Sequence, residues 1–181
     1  MNKLIITTLL VLFVFSCKNP EARRPVSTKS GSYIDTAIAQ NKKRFAKEKA
    51  IIENIIAADS STYFTSDTGF WYKYNKKIEN DSLTTPLFGD IIQYNYNVKA
   101  LNGKEIYSKE EVSMQTYVMD KQELFSGLRH GLKLMKAGES MTFIFPSDRA
   151  YGYYGDLNKI GPNTPLICEV TVHSITQNQK N

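Results

Sequence analysis

The chain has 181 residues, 41% hydrophobic and 23% charged, which suffices for one core of ordinary size and excludes a large multidomain protein. Its net charge of +5 comes from 23 Lys and Arg against 18 Asp and Glu, spread along the sequence apart from one cluster. Charge this diffuse argues against a nucleic-acid-binding protein, so no nucleic-acid partner is expected.

The N-terminal sequence MNKLIITTLLVLFVFSC predicts an export signal. Lys3 precedes an apolar run from Leu4 to Phe15, which is shorter than the roughly 20 residues that a membrane-spanning helix needs. The small Ser16 before Cys17 resembles a bacterial lipobox, although Val14 stands where leucine is usual. This resemblance implies a lipoprotein signal peptide at 1–16 and lipidation of Cys17. The alternative is an incidental thiol after an ordinary secretory signal, for which the sequence lacks a suitably placed small residue.

Residues 17–32 are polar and rich in turn-forming residues, and we predict that they form a disordered tether. Such a tether behind a lipid would hold the following domain near a membrane. If Cys17 is modified, Cys168 is the only other thiol, so no intramolecular disulfide is expected.

Residues 33–60 predict an N-terminal helix, because the run from Tyr33 to Ala58 lacks Gly and Pro and repeats apolar residues at helical spacing. The predicted stripe consists of Ile34, Ile38, Phe45, Ile52, Ile55 and Ile56. A basic cluster at 42–49 falls mostly opposite; it could contact anionic lipid headgroups, but a solvated helix face is the favoured interpretation. The helix could form a homodimer or pack on its own domain.

The rest of the chain predicts an α+β fold: a twisted antiparallel β-sheet wrapped around one short α-helix, preceded by the N-terminal helix. Five segments rich in β-branched and aromatic residues predict strands, at 69–78, 90–101, 112–119, 139–146 and 165–175. The short helix is predicted at 123–135. Asn102-Gly103 lies between two strand-like runs and predicts a hairpin.

Motifs for metal, cofactor or nucleophile chemistry are missing from the sequence. His130 and His173 are the only histidines, and neither has a partner at ligand spacing. No glycine loop for phosphates and no nucleophile motif is present, so neither a metal nor a cofactor is expected. What remains is the aromatic, glycine-punctuated loop AYGYYG, whose rings we expect to border a cleft.

Three motifs resemble the FK506-binding-protein (FKBP) type of peptidyl-prolyl cis–trans isomerase. They are G-x-x-x-G-x-x-x-M-x-x-G-E from Gly127 to Glu139, P-x-x-x-A-Y-G ending at Gly152, and I-x-P-N-x-x-L from Ile160. The resemblance covers about half of the chain and implies an FKBP-type isomerase domain at 86–178. Together with the lipidation signal and helix, the arrangement is similar to the FKBP-like lipoproteins of gliding bacteria.

The resemblance implies a ligand cleft between the short helix and the sheet. The residues implied as catalytic are Tyr96, Phe125 and Tyr151. Those implied as substrate-binding are Ile106, Tyr107, Leu124, Leu128, Ile160 and Cys168. Phe143, which is also on a strand, is expected to support the core.

Four positions depart from the family pattern. Tyr107 stands where an aspartate is usual, Leu128 replaces the floor tryptophan, and Gln115 and Cys168 replace aromatic wall residues. Leucine keeps the floor apolar, whereas loss of the aspartate and two aromatic residues is expected to weaken the binding of macrolide inhibitors.

The leading hypothesis is therefore a lipid-anchored isomerase of the cell envelope that acts on proline-containing segments of exported proteins. The resemblance to lipoproteins of gliding bacteria extends this expectation to proteins of gliding motility machinery. The residues after Cys17 contain no acidic run, which favours the periplasmic face. Two alternatives stay open: a non-catalytic chaperone or assembly factor that uses the same cleft, and a structural motility lipoprotein with the fold but an idle cleft.

Overall fold

The structure is a computed structural model that describes residues 30–80 and 82–178, with side chains from residue 34 onward. The predicted signal peptide, Cys17 and most of the predicted tether lie outside the described residues. The chain divides between residues 39 and 40 into two units. The described part of the first unit is the beginning of the N-terminal helix, and the second unit contains the sheet.

The described residues contain three helices and eight strands. The helices are α1 (Ser30–Ala58), α2 (Lys109–Val112) and α3 (Ser126–Leu132). The strands are β1 (Phe64–Thr65), β2 (Trp71–Lys76), β3 (Ile91–Tyr96), β4 (Val98–Ala100), β5 (Glu105–Tyr107), β6 (Gln115–Val118), β7 (Ser140–Phe145) and β8 (Leu166–Thr176). Each predicted strand overlaps an observed one, with β8 extending one residue beyond the predicted 165–175, and α3 lies inside the predicted short helix.

The sheet is antiparallel, with the strand order β1-β2-β7-β8-β3-β6, and β4 joins β8 to β5. The long strand β8 lies at its centre because it pairs with β7, β3 and β4. The predicted turn at Asn102-Gly103 connects β4 to β5, and Gly103 adopts the left-handed φ of 82° that this turn requires. The predicted α+β architecture is thereby confirmed.

Helix α1 begins earlier and ends earlier than the predicted 33–60, and its apolar stripe is only partly covered. Ile52 is fully buried, whereas Ile34 and Ile38 are 53% and 47% exposed. The four lysines of the basic cluster are exposed, as a solvated helix face predicts. Among the helices of the described ranges, none combines the length and hydropathy needed to cross a bilayer.

Helix α3 packs closely on the sheet because two of its residues have no side chain. A Cβ at Gly127 would lie 2.4 Å from Cδ1 of Phe145, and one at Gly131 would lie 2.9 Å from Cε1 of Phe143. Both phenylalanines are fully buried on β7, so the predicted core role of Phe143 is confirmed. The glycines of the first motif therefore set the distance between α3 and the sheet.

The end of the same motif fixes the entry into β7. Gly138 adopts a φ of 86°, and the buried Glu139 carboxylate accepts hydrogen bonds from the backbone N–H of Lys136 and Ile78, at 2.8 and 3.1 Å. Met135 is fully buried beneath this turn. The Met, Gly and Glu positions of the motif therefore stabilise the turn that leads into β7.

Candidate functional site

All nine predicted cleft residues belong to one hydrophobic cluster between α3 and the sheet. Leu128, Ile160 and Cys168 are buried and form its interior. The other six are half-buried and pack against that interior: Tyr96, Ile106, Tyr107, Leu124, Phe125 and Tyr151. Side chains that are half-buried against a common apolar interior are what a binding cleft requires.

A depression of about 570 Å³ opens beside Leu124, Phe125 and Tyr151, which are three of the nine predicted cleft residues. The Phe125 and Tyr151 rings lie 5.0 Å apart, and the Phe125 ring also contacts that of Phe145 edge-on at 5.4 Å. Such edge-on contacts fix ring orientation as well as burying apolar area. The polar rim consists of Gln122, Glu123 and Arg129.

The two cleft tyrosines present neutral hydroxyl groups. Burial raises the pKa of Tyr151 to about 12 and places the pKa of Tyr96 well above its ordinary value. Both hydroxyls are therefore protonated at neutral pH, and each can donate a hydrogen bond to a bound carbonyl.

A second donor lies at the beginning of α3. Phe125 is extended, with φ −59° and ψ 143°, and directly precedes the helix. Its C=O accepts from the N–H of Arg129 at 3.1 Å, but in residues 30–80 and 82–178 its own N–H donates to no protein atom. The cleft therefore combines an apolar interior with two donors, one from the backbone and one from a side chain.

The family comparison agrees with this geometry. The sequence profile described as FKBP-type peptidyl-prolyl cis-trans isomerase matches residues 84–173. These residues belong to the FKBP-type isomerase family.

Two proteins with similar sequences are named as isomerases of this type. A probable FKBP-type peptidyl-prolyl cis-trans isomerase FkpA of Neisseria meningitidis is 28% identical over 111 residues, which cover 61% of this chain and 39% of that protein. A probable FKBP-type isomerase of Haemophilus influenzae is 29% identical over 108 residues, covering 60% of this chain and 43% of that protein. The matched stretch is thus less than half the length of each relative.

Solved structures share the fold. A peptidyl-prolyl cis-trans isomerase from Pseudomonas syringae superposes with a TM-score of 0.61 at 21% identity, over 75% of this chain and 96% of that one. FkpA from Escherichia coli superposes with a TM-score of 0.59 at 22% identity, over 98% of this chain and 83% of that one. At these identities the likeness concerns the fold.

The departures of this FKBP-type domain have different structural consequences. Gln115 is half-buried, and its side-chain amide donates to the carbonyl of Val112 at 2.6 Å. Cys168 is fully buried near the beginning of β8, and burial raises the pKa of its thiol. The cleft is therefore apolar at the Cys168 position but lacks the area of an aromatic ring there.

The Tyr107 hydroxyl contacts a carboxylate that is not one of the predicted cleft residues. This hydroxyl donates to Oδ2 of Asp156 at 2.5 Å and accepts from Nδ2 of Asn158 at 3.0 Å. Asp156 and Asn158 lie between the motif that ends at Gly152 and the motif that begins at Ile160, 49 and 51 residues further along the chain. The only sequence signal was Tyr107 itself, a tyrosine where a short acidic residue was expected.

A separate cavity of about 420 Å³ lies between the C-terminal half of α1 and the β1–β2 edge. Its lining includes Phe45, Trp71 and Pro146 together with Lys49, Glu53 and Asp148. None of the nine predicted cleft residues lines it. Within the described ranges, no group of three His, Cys, Asp or Glu side chains could hold a metal ion.

Proposed function

We propose that the FKBP-type domain isomerises X-Pro peptide bonds. The observation that carries this proposal is the cleft between α3 and the sheet, which joins a buried apolar interior to the free Phe125 N–H and the Tyr151 hydroxyl. Both sequence relatives are named as probable isomerases of this type, which supports the assignment.

The reaction needs no bond to break. An X-Pro bond rotates over a barrier of ~18–20 kcal/mol, because twisting the amide destroys its resonance. The planar amide carries more charge separation than the twisted transition state, so an apolar cleft disfavours the ground state more. Each tenfold in rate requires only ~1.4 kcal/mol of this difference.

The residues take distinct roles in this scheme. The proline ring enters the depression beside Leu124, with Ile106 and Tyr107 as further walls. The buried Leu128, Ile160 and Cys168 form the apolar interior behind it. Phe125 and Tyr96 flank the ring, and the Phe125 N–H and Tyr151 hydroxyl donate to carbonyl groups next to the proline. Because its pKa is about 12, Tyr151 remains a neutral donor at every physiological pH.

Isomerisation of an Ala-Leu-Pro-Phe peptide by the purified protein, followed by protease-free NMR exchange, tests the proposal. Tyr151→Phe should lower kcat/KM roughly three- to tenfold by removing one donor, and Phe125→Ala roughly tenfold or more by removing a wall. Tyr154→Phe is the matched control, since Tyr154 is 76% exposed and outside the cluster. No acceleration by the folded wild-type protein would reject the activity.

We also propose that the protein is lipid-anchored in the cell envelope, at the periplasmic face, and acts on exported proteins. The support is the sequence pattern before Cys17 and the polar segment after it. Cys17→Ser should move the protein from the membrane fraction to the soluble fraction, because a single acyl chain already contributes ~0.8 kcal/mol per buried CH₂. Membrane retention of this variant would contradict the anchor.

A role in gliding motility is a finer proposal that rests on the resemblance to FKBP-like lipoproteins of gliding bacteria. In a gliding host, deletion of the gene should stop spreading, and the wild-type gene should restore it. If Phe125→Ala restores it equally well, the protein is a structural component whose cleft is idle.

A non-catalytic chaperone is the second candidate, favoured by exposed apolar side chains beside the cleft. Tyr153, Tyr154 and Leu157 are 71%, 76% and 89% exposed. Contiguous exposed apolar residues are typical of interaction surfaces. Binding of an unfolded chain that is indifferent to proline, without isomerisation, would favour this function over the first.

Homodimer formation through α1 remains part of the proposal. Ile34 and Ile38 are about half exposed and lie one helical turn apart, which supports a helix–helix contact. Sedimentation of the purified protein should give a dimer, and Ile38→Lys should give a monomer. A wild-type monomer would end this proposal.

A further inference from the structure

The loop from Tyr151 to Ile160 contains two of the predicted cleft residues, and its own sequence does not favour a single conformation. Tyr151 and Ile160 end it, and Gly152 and Gly155 inside it both have left-handed φ values, 62° and 70°. It contains no helix or strand. A loop of this composition pays a large conformational entropy cost on binding unless other contacts already hold it.

Asp156 closes the distal half of this loop. Its Oδ1 accepts from the backbone N–H of Asn158 at 2.9 Å and of Ile160 at 2.8 Å. Its own N–H donates to the carbonyl of Ile160 at 3.1 Å. The position of the Ile160 side chain therefore depends on where the Asp156 carboxylate is held.

Tyr107 holds that carboxylate from the other side of the cleft. Its hydroxyl donates to Oδ2 of Asp156, so one carboxylate joins the end of β5 to the loop. Burial would raise the pKa of Asp156, but the hydrogen bonds from Tyr107 and from the amides of Asn158 and Ile160 outweigh it and lower that pKa. A hydrogen bond to an ionised carboxylate is among the stronger kinds.

A second link runs parallel to the first but is weaker. Nζ of Lys159 pairs with the Glu111 carboxylate on α2 and lies 4.8 Å from the centre of the Tyr107 ring. The side chains of Lys159 and Glu111 are 45% and 46% exposed, and exposed pairs of this kind contribute little. Between the two ends of the loop, which are held by the Tyr151 ring and the buried Ile160, the Tyr107–Asp156 hydrogen bond is therefore the stronger of these two side-chain attachments.

We propose that Tyr107 and Asp156 are positioning residues that preorganise the 151–160 loop for binding of the proline-containing segment. The proposal rests on the proposed isomerase function and goes beyond it, because it assigns a role to a carboxylate that does not belong to the cleft wall. Losing the attachment weakens substrate binding, since the loop must then be ordered at each binding event. The chemical step is affected less, because the apolar interior and the Phe125 N–H are unchanged.

The test is a split of kcat and KM for the Leu-Pro peptide. Tyr107→Phe keeps the ring and removes the hydroxyl, so KM should rise about three- to tenfold with kcat within about twofold. Asp156→Ala should show the same split. Asp156→Asn should largely restore KM, because its amide can donate to the Tyr107 oxygen while its carbonyl accepts the two backbone amides. Glu111→Gln is the matched control and should leave both constants within about twofold.

Amide hydrogen exchange gives a second readout in the same variants. The Asn158 and Ile160 N–H groups, which donate to Asp156, should exchange faster in Tyr107→Phe and Asp156→Ala, while amides of β7 and β8 should not change. An active wild-type protein whose KM is unaffected by both substitutions would overturn the inference and leave the isomerase function standing. A wild-type protein that neither isomerises nor binds the peptide would remove both.

Discussion

At the scale of single residues, Gly127 tests whether the contact between α3 and the sheet is as tight as the geometry indicates. Gly127→Ala places a methyl group 2.4 Å from Cδ1 of Phe145 and 2.8 Å from the carbonyl of Arg149. Overpacking of this kind costs about 1–3 kcal/mol, so we expect a loss of that size in urea unfolding. Gly161→Ala is the matched control, because its Cβ would meet only Oγ1 of Thr164, at 3.7 Å. Equal stability of the two variants would show that α3 shifts freely.

The ionisable groups around the cleft predict a flat pH dependence for catalysis. Burial raises the pKa of Tyr151 to about 12, and hydrogen bonding lowers that of Asp156, so neither changes protonation between about pH 6.5 and 9.5. In this range kcat/KM should vary by less than about twofold, as a reaction without proton transfer requires. The lowered pKa of Asp156 means that its stabilising hydrogen bonds are present at neutral pH and are lost as pH falls through the folded-state value. A bell-shaped profile centred near neutrality would instead indicate a proton-transfer step.

At the scale of elements, Glu48 fastens α1 to the segment that follows β7. Its carboxylate is 8% exposed and accepts from the backbone N–H and from Oγ of Ser147, at 3.0 and 2.7 Å. Glu48→Ala leaves both donors buried without a partner, so it should destabilise the protein by about 1–3 kcal/mol in urea unfolding. Lys49→Ala removes only an exposed pair with Glu53 and should cost less than about 0.5 kcal/mol. Similar effects of the two substitutions would contradict this attachment.

The elements that could be predicted from the sequence are those with a clear local sequence pattern. Segments rich in β-branched and aromatic residues located five strands, Asn102-Gly103 located the hairpin, and the segment 123–135 located α3. The Tyr107–Asp156 contact was not predictable, because it joins residues 49 positions apart whose types are common in any polar loop. The exposure of Ile34 and Ile38 was missed for a related reason: periodicity shows that a helix has an apolar stripe but not whether anything covers it.

At the scale of the whole molecule, the sheet makes unfolding of the FKBP-type domain cooperative. Strand β8 runs through its centre and pairs with β7 on one side and with β3 and β4 on the other. Its inward side chains are at most 1% exposed; they are Leu166, Cys168, Val170 and Val172. Exposing any of them requires the neighbouring strands to separate, so β8 belongs to the most stable part of the structure.

The rate at which Cys168 reacts with a thiol reagent measures this cooperativity. In a variant with Cys17→Ser, Cys168 is the only thiol; it is fully buried, and burial raises its pKa, so it should not react with a thiol reagent while the domain is folded. If β8 opens only when the whole domain unfolds, the opening free energy obtained from the labelling rate should equal the unfolding free energy from urea within about 0.5 kcal/mol. A peptide that binds the cleft should slow labelling in proportion to its saturation, because it binds only the folded state. Labelling several powers of ten faster than global unfolding would show instead that the cleft opens to β8 by a local motion of α3 or of the 151–160 loop.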